Sequence, residues 1–291
     1  MGSQAFHIIQ PRCVMNYRHS YHAGNFADVH KHVTLVALLD ALTRKEAGFL
    51  YLDTHAGRGA YRLALGKHAA TPPEWREGVG RVLAATPQAP ELARWLDLVR
   101  TNPDEYPGSP VLAARVLRAQ DRLALFESQI EECIALRKQL TDSADTTVSN
   151  SDGYHALKAL LPPPERRGLI FIDPPYEEPA DYDRVIAALS AGLQRFATGV
   201  YCVWAPVKHL ADFERWLHKL SRATEQPLLV SQLWRAPRDA RAGLAGSALV
   251  ILNPPWQIEE RMRVWLPELQ RLLADTSGAG SDVLTIQPSR S

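Results

Sequence analysis

The chain has 291 residues, 46% hydrophobic and 22% charged, enough apolar content to bury a large core; its net charge of +1 rules out a globally polycationic surface. Any nucleic-acid surface must therefore be a local patch. Cys13, Cys133 and Cys202 are far apart and form no C-x-x-C pair, which argues against a disulfide framework and for a reducing, cytoplasmic setting, and no apolar run reaches membrane-spanning length.

Residues 1–14, MGSQAFHIIQPRCV, precede a second methionine, Met15, and read as a tag or non-native extension. Residues 27–46 carry apolar positions at helical spacing and predict an amphipathic helix. GFLYLD (48–53) predicts a strand that runs into the glycine turn THAGRG. The next strand, RLALFE (122–127), comes only after about sixty residues, far more than a βαβ crossover needs. Residues 61–106 are therefore expected to form an inserted helical subdomain. SPVLAARVLRA (109–119) reads as the crossover helix, with Ser109 as N-cap and Pro110 at the first helical position.

Strand and helix then alternate. Strands are expected at 122–127, 145–149, 168–173 and 199–204, with helices at 128–140, 153–160, 180–196 and 208–221 between and after them. Strand-like runs at 227–234 and 247–252 and a helix at 256–273 close the pattern, and 275–291 reads as a disordered tail. The alternation predicts an α/β fold over 15–274, a mostly parallel, doubly wound sheet with a helical insertion.

In such sheets ligands bind at the carboxyl ends of the strands. The first strand ends in Asp53-Thr54-His55-Ala56-Gly57-Arg58-Gly59, the second in Glu127, the third leads to Asp152-Gly153, and the fourth ends in Asp173-Pro174-Pro175-Tyr176. Each feature alone has a plain structural account. Gly57 and Gly59 can simply make a tight turn, Glu127 can be a solvated strand end, and Asp152 can cap a helix. In this order they also describe an adenosine-bearing cofactor: Glu127 for a ribose diol, Asp152 for an adenine amino group. No Lys-Ser/Thr follows the glycines, so no phosphate cradle is present. The cofactor implied is S-adenosylmethionine.

Asp-Pro-Pro-Tyr suits methylation of a base. An exocyclic amino group is a poor nucleophile because its lone pair is delocalised into the ring. Two acceptors, the Asp173 carboxylate and the Pro174 carbonyl, can draw the nitrogen toward tetrahedral geometry, and two prolines stiffen the turn that aims them. Tyr176 offers a face on which a flipped base can stack. The twin motif Asn253-Pro254-Pro255-Trp256 follows the last strand; it is expected to be structural, with Asn253 capping the final helix.

The motifs NYRHSYHAGNFADVHKH (16–32), LYLDTHAGRGAY, YPGSP, LFE, SDGY, FIDPPYE and SALVILNPPW together resemble the RlmJ family, bacterial large-subunit ribosomal RNA adenine-N6 methyltransferases. Some relatives carry names tied to use of external DNA. The resemblance spans Met15 to about Leu273 and implies a Rossmann-like class I methyltransferase dependent on S-adenosyl-L-methionine, with a small helical insertion. It places His32, His55, Ser109, Glu127, Asp152, Gly153 and Asp173 at the cofactor, Asp173 as catalytic acceptor, and Tyr17 near the target base.

His19, His22, His30 and His32 are too loosely spaced for a zinc site and have no cysteine to assist, so no metal is expected, and a mobile N-terminal lid over cofactor and substrate fits better. Arg18, Lys31, Arg235, Arg238 and Arg241 are candidates to hold the RNA backbone. The substrate expected is an adenine in a loop or hairpin of protein-free 23S rRNA, methylated by a monomer. The alternatives are guanine-N2 methylation of RNA, adenine-N6 methylation of DNA, or a non-catalytic nucleic-acid-binding protein for DNA uptake or use.

Overall fold

The structure, a computed structural model, describes residues 22–63, 73–141, 145–237 and 244–288. Tyr17, Arg18, Arg238, Arg241 and the 1–14 extension lie outside the described residues. The first helix, α1 (Phe26–Thr43), opens with a reciprocal cap: Asn25 Oδ1 accepts from the Asp28 N–H at 3.0 Å, and Asp28 Oδ2 accepts from the Gly24 N–H at 2.9 Å. It was expected to be amphipathic, but its residues from Phe26 to Leu39 are all buried. The reason is that α1 lies between the sheet and the insertion, so it has no solvent face to spend on polar residues.

The strands β1 (Leu50–Asp53), β4 (Arg122–Phe126), β5 (Thr146–Ser149), β6 (Gly168–Ile172), β7 (Val200–Val207), β8 (Leu228–Trp234), β9 (Gly246–Leu252) and β10 (Gly280–Ile286) form one sheet in the order β10-β8-β9-β7-β6-β1-β4-β5. From β7 through β5 the pairs are parallel; β9 runs antiparallel to β7 and β8, and β10 antiparallel to β8. The chain leaves β1 toward β4 and β5, then returns to β6 on the other side. That reversal between β1 and β6 is the switch point at which a crevice opens.

Two short strands, β2 (Ala60–Arg62) and β3 (Glu105–Pro107), pair antiparallel and close the insertion at its base. Between them stand a 3₁₀ turn at Glu74–Glu77, α2 (Val79–Leu83) and α3 (Pro90–Arg100). The connecting helices are α4 (Ser109–Val116), α5 (Ile130–Gln139), α6 (Gly153–Leu160), α7 (Ala180–Arg195), α8 (Leu210–Thr224) and α9 (Ile258–Leu273).

The tail needs correction. Instead of being disordered, 280–286 adds β10 to the sheet edge, with Val283 buried in one core layer and Leu284 and Ile286 packed on the other. Three apolar residues suffice for an edge strand, and the surrounding Gly, Ser and Asp concealed them.

The twin motif is also corrected in detail. Because β9 is antiparallel, Leu252 pairs with Tyr201 near the start of β7, so Asn253 emerges at the edge opposite Asp173. Asn253 does not cap the last helix, which starts at Ile258. It takes φ = 51°, and its Nδ2 donates to the Ala197 and Gly199 carbonyls at 2.7 and 2.8 Å. Asn253→Ala is expected to cost about 1–2 kcal/mol in urea unfolding and to leave methyl transfer within about twofold of wild type. A large loss of activity without loss of stability would contradict this structural role.

Candidate active site

A cavity of about 850 Å³ opens over the carboxyl ends of β1, β4 and β6. His32, His55, Ser109, Glu127, Asp173 and Lys31 all line it, although they come from five different elements or turns. Asp53, buried at the end of β1, organises the floor. Its Oδ2 accepts from Tyr51 Oη at 2.9 Å and from Ser109 Oγ at 2.7 Å, while Oδ1 accepts from the His55 N–H at 3.2 Å. Burial raises this carboxyl to about 6, against the pull of those three donors. Ser109 is therefore not the N-cap of α4, a position held by Gly108; its hydroxyl belongs to the floor.

The glycine turn is held by Glu127. Its Oε2 accepts from the Gly57 N–H at 2.9 Å and its Oε1 from the Gln129 N–H at 2.7 Å. Gly57 has φ = 62° and faces the cavity, a left-handed conformation that suits glycine. Burial raises the Glu127 carboxyl, against the pull of the backbone N–H groups that surround it.

Asp173, just beyond β6, pairs with Lys31 Nζ at 2.5 Å, and the same ammonium meets Asp28 Oδ1 at 2.8 Å. Burial pulls the Lys31 pKa down, but Asp173 and then Asp28 outweigh it and hold it above the ordinary value. The ammonium also lies 5.5 Å from the centre of the half-buried Trp204 ring, which lines the cavity with Pro174 and Pro175. Across the mouth, His22 Nδ1 lies 3.0 Å from Glu74 Oε2, which also accepts from Asn25 Nδ2, tying the start of α1 to the insertion.

The family model described as ribosomal RNA large subunit methyltransferase D, RlmJ, matches residues 46–285. The chain belongs to the RlmJ family. Two curated relatives are each named ribosomal RNA large subunit methyltransferase J. That of Haemophilus influenzae is 40% identical over 274 residues, 92% of this chain and 97% of the relative. That of Escherichia coli K12 is 38% identical over 280 residues, 94% of this chain and all of the relative. A crystal structure of a Legionella pneumophila protein superposes with a TM-score of 0.82 at 36% identity, covering 92% of this chain and 99% of that one.

Not every residue the RlmJ motifs suggested reaches the cavity. Asp152 caps α6, accepting from the Tyr154 N–H at 2.8 Å, and Gly153 sits so close to β1 that a Cβ there would stand 2.1 Å from the Thr54 carbonyl oxygen. Both lie beside the cavity rather than in its lining. Tyr176 requires correction. It has φ = 50°, is only 5% exposed, and donates its hydroxyl to the Trp204 carbonyl at 2.8 Å, so its ring packs inward against Tyr182 instead of offering a stacking face. Lys31 is buried against Asp173 rather than held out for an RNA backbone. Arg235 pairs with Asp275 at 3.1 Å and lies over the Phe26 ring.

Sequence reasoning missed Trp204, Asp28 and Lys208 in the lining. The available signal for Trp204 was a large aromatic near the carboxyl end of an otherwise apolar central strand. His30 and His32, two residues apart on α1, serve different neighbours: His32 Nδ1 meets Tyr106 Oη at 2.7 Å, while His30 lies 3.0 and 2.9 Å from Ser247 and Ser231. Among the described residues no three His, Cys, Asp or Glu side chains group as metal ligands, and no helix is long and apolar enough to cross a membrane.

Burial lowers the His30 pKa to about 3, so the folded protein keeps it neutral. Its stabilising contribution is complete above the unfolded value near 6.5 and is lost as pH falls toward 3, because only the unfolded chain takes up the proton in that window. Denaturant unfolding of wild type and His30→Leu at several pH values is expected to show wild type losing its relative stability between about pH 6.5 and 4. A gap independent of pH would contradict the assignment.

Proposed function

We propose that this chain transfers the methyl group of S-adenosyl-L-methionine to N6 of an adenine in large-subunit (23S) ribosomal RNA. The observation that carries the reading is the placement of Asp173 in a cavity that Trp204 and Glu127 also line. The lining fits the cofactor: Glu127 would hold the ribose hydroxyls, and His32, His55 and Ser109 the methionine part. Bound there, it supplies an electrophilic methyl group.

The chain's own residues then have positioning and electrostatic tasks. Asp173 accepts one hydrogen of the target amino group and the Pro174 carbonyl the other, turning the nitrogen lone pair toward the methyl. Lys31, bonded to Asp173 and Asp28, fixes the carboxylate against rotation. Trp204, not Tyr176, gives the flipped base its stacking surface. Lys208, in the lining, offers charge to the backbone, and so does Arg58, which is paired with Glu132 at 2.9 Å. We assign the cofactor's adenine to the side near Asp152, the substrate to a loop or hairpin of protein-free RNA in the cytoplasm, and the active species to a monomer.

The test is transfer from labelled S-adenosylmethionine to unmodified 23S rRNA, with the nucleoside identified by mass spectrometry. N6-methyladenosine is expected. N2-methylguanosine would overturn the base assignment, and transfer to DNA in preference to RNA would overturn the substrate.

A further inference from the structure

Three serine and histidine side chains sit where apolar ones would pack well. Trp204 and Pro206 on β7, Leu249 and Ser247 on β9, and Ser231 and Leu233 on β8 share one face of the sheet, since Trp204 pairs with Leu249 and Leu249 with Ser231. This face lies under α1. Ser231, Ser247 and His30 are each fully buried. Trp204 Nε1 donates to Ser247 Oγ at 3.0 Å; Ser247 Oγ lies 3.0 Å from His30 Nδ1, and His30 Nε2 lies 2.9 Å from Ser231 Oγ. The indole can only donate, so Ser247 must accept there. With Nδ1 accepting and Nε2 protonated, the hydrogen bonds run in one direction from the cavity wall to Ser231, and both imidazole nitrogens are engaged.

We propose that His30, Ser247 and Ser231 form a positioning relay that sets the plane of the Trp204 ring on which the target base stacks; this rests on the base-methylation reading above. A half-buried indole can turn about its Cβ–Cγ bond. Anchoring its N–H to a buried hydroxyl, itself held by an imidazole, removes that freedom before the base arrives. The same helix turn aims Lys31 at Asp173, so α1 sets both the stacking surface and the acceptor, on adjacent residues about 100° apart.

Two measurements test the relay. In ¹⁵N-tryptophan-labelled protein the seven tryptophans give seven indole N–H signals, and Trp204→Phe identifies that of Trp204. Ser247→Ala and His30→Leu are expected to speed solvent exchange of this proton by about tenfold or more, and Ser247→Thr, which keeps the hydroxyl, to restore its protection. In turnover, Ser247→Ala is expected to lower kcat by about tenfold with cofactor affinity unchanged, but by less than about twofold in a Trp204→Phe background, where no N–H remains to be held. An unchanged Trp204 signal, or the same loss of kcat in both backgrounds, would overturn the relay. Should Trp204→Ala leave RNA methylation intact while the indole signal still responds to Ser247→Ala, the stacking reading fails, and the relay's task fails with it.

Discussion

Asp173→Asn is expected to reduce methyl transfer to RNA by about a thousandfold or more, while cofactor affinity stays within about threefold. Asparagine has the same shape as aspartate but only one acceptor oxygen. In wild type one carboxylate oxygen binds Lys31 Nζ at 2.5 Å, leaving the other for the substrate amino group. The substituted amide would have to turn its single carbonyl to Lys31 and present an NH₂ to another NH₂, or turn it to the base and leave the ammonium facing a donor. Either way the nitrogen lone pair is no longer drawn toward the methyl. Asp173→Ala should be as inactive, with a larger loss of stability because Lys31 then keeps, among the described residues, only Asp28 as an acidic partner. Single-turnover transfer gives the rate, and calorimetric titration with S-adenosylmethionine gives the affinity. Activity within tenfold of wild type would remove Asp173 from the chemistry. A proportional loss of cofactor binding would make it a cofactor ligand alone.

What the sequence made legible was local. Asp53, Glu127 and Asp173 each stand where an apolar run meets a turn, and parallel pairing then brings those ends together: Asp53 is in register with Leu125 on one side and Phe171 on the other. What it hid depended on direction or on distance along the chain. The two Pro-Pro motifs emerge at opposite edges because β6 and β9 run in opposite directions, a property of the sheet and not of either tetrapeptide. Tyr176 looked like the aromatic of the site, but a left-handed backbone turns it into the core, while Trp204, on the neighbouring strand, lines the cavity. Burial of α1 on all sides likewise needed the insertion as a second wall. The Lys31–Asp173 pair spans 142 residues, so no window of sequence contains it.

That pair carries the other large expected effect. Lys31→Met replaces a buried ammonium with an apolar chain of similar length and takes away the cation that Asp28 and Asp173 share. Removing one member of a buried ion pair costs about 3–5 kcal/mol, and in wild type this contribution is complete at neutral pH. The Lys31 pKa lies above its ordinary value of 10.5, so the stabilisation is lost only as pH rises past it. In the variant Asp173 also loses the contact that aims its carboxylate. Turnover at neutral pH is expected to fall by about a hundredfold. Denaturant unfolding and single-turnover transfer on the same samples measure both losses, and a variant that loses stability but keeps the wild-type rate would reduce the pair to a structural role. Lys31→Arg keeps the charge but replaces a compact ammonium with a planar fork in a space where Nζ reaches two carboxylates at 2.5 and 2.8 Å. It should recover most of the stability and only part of the rate, because the charge is restored while the aim of Asp173 is not.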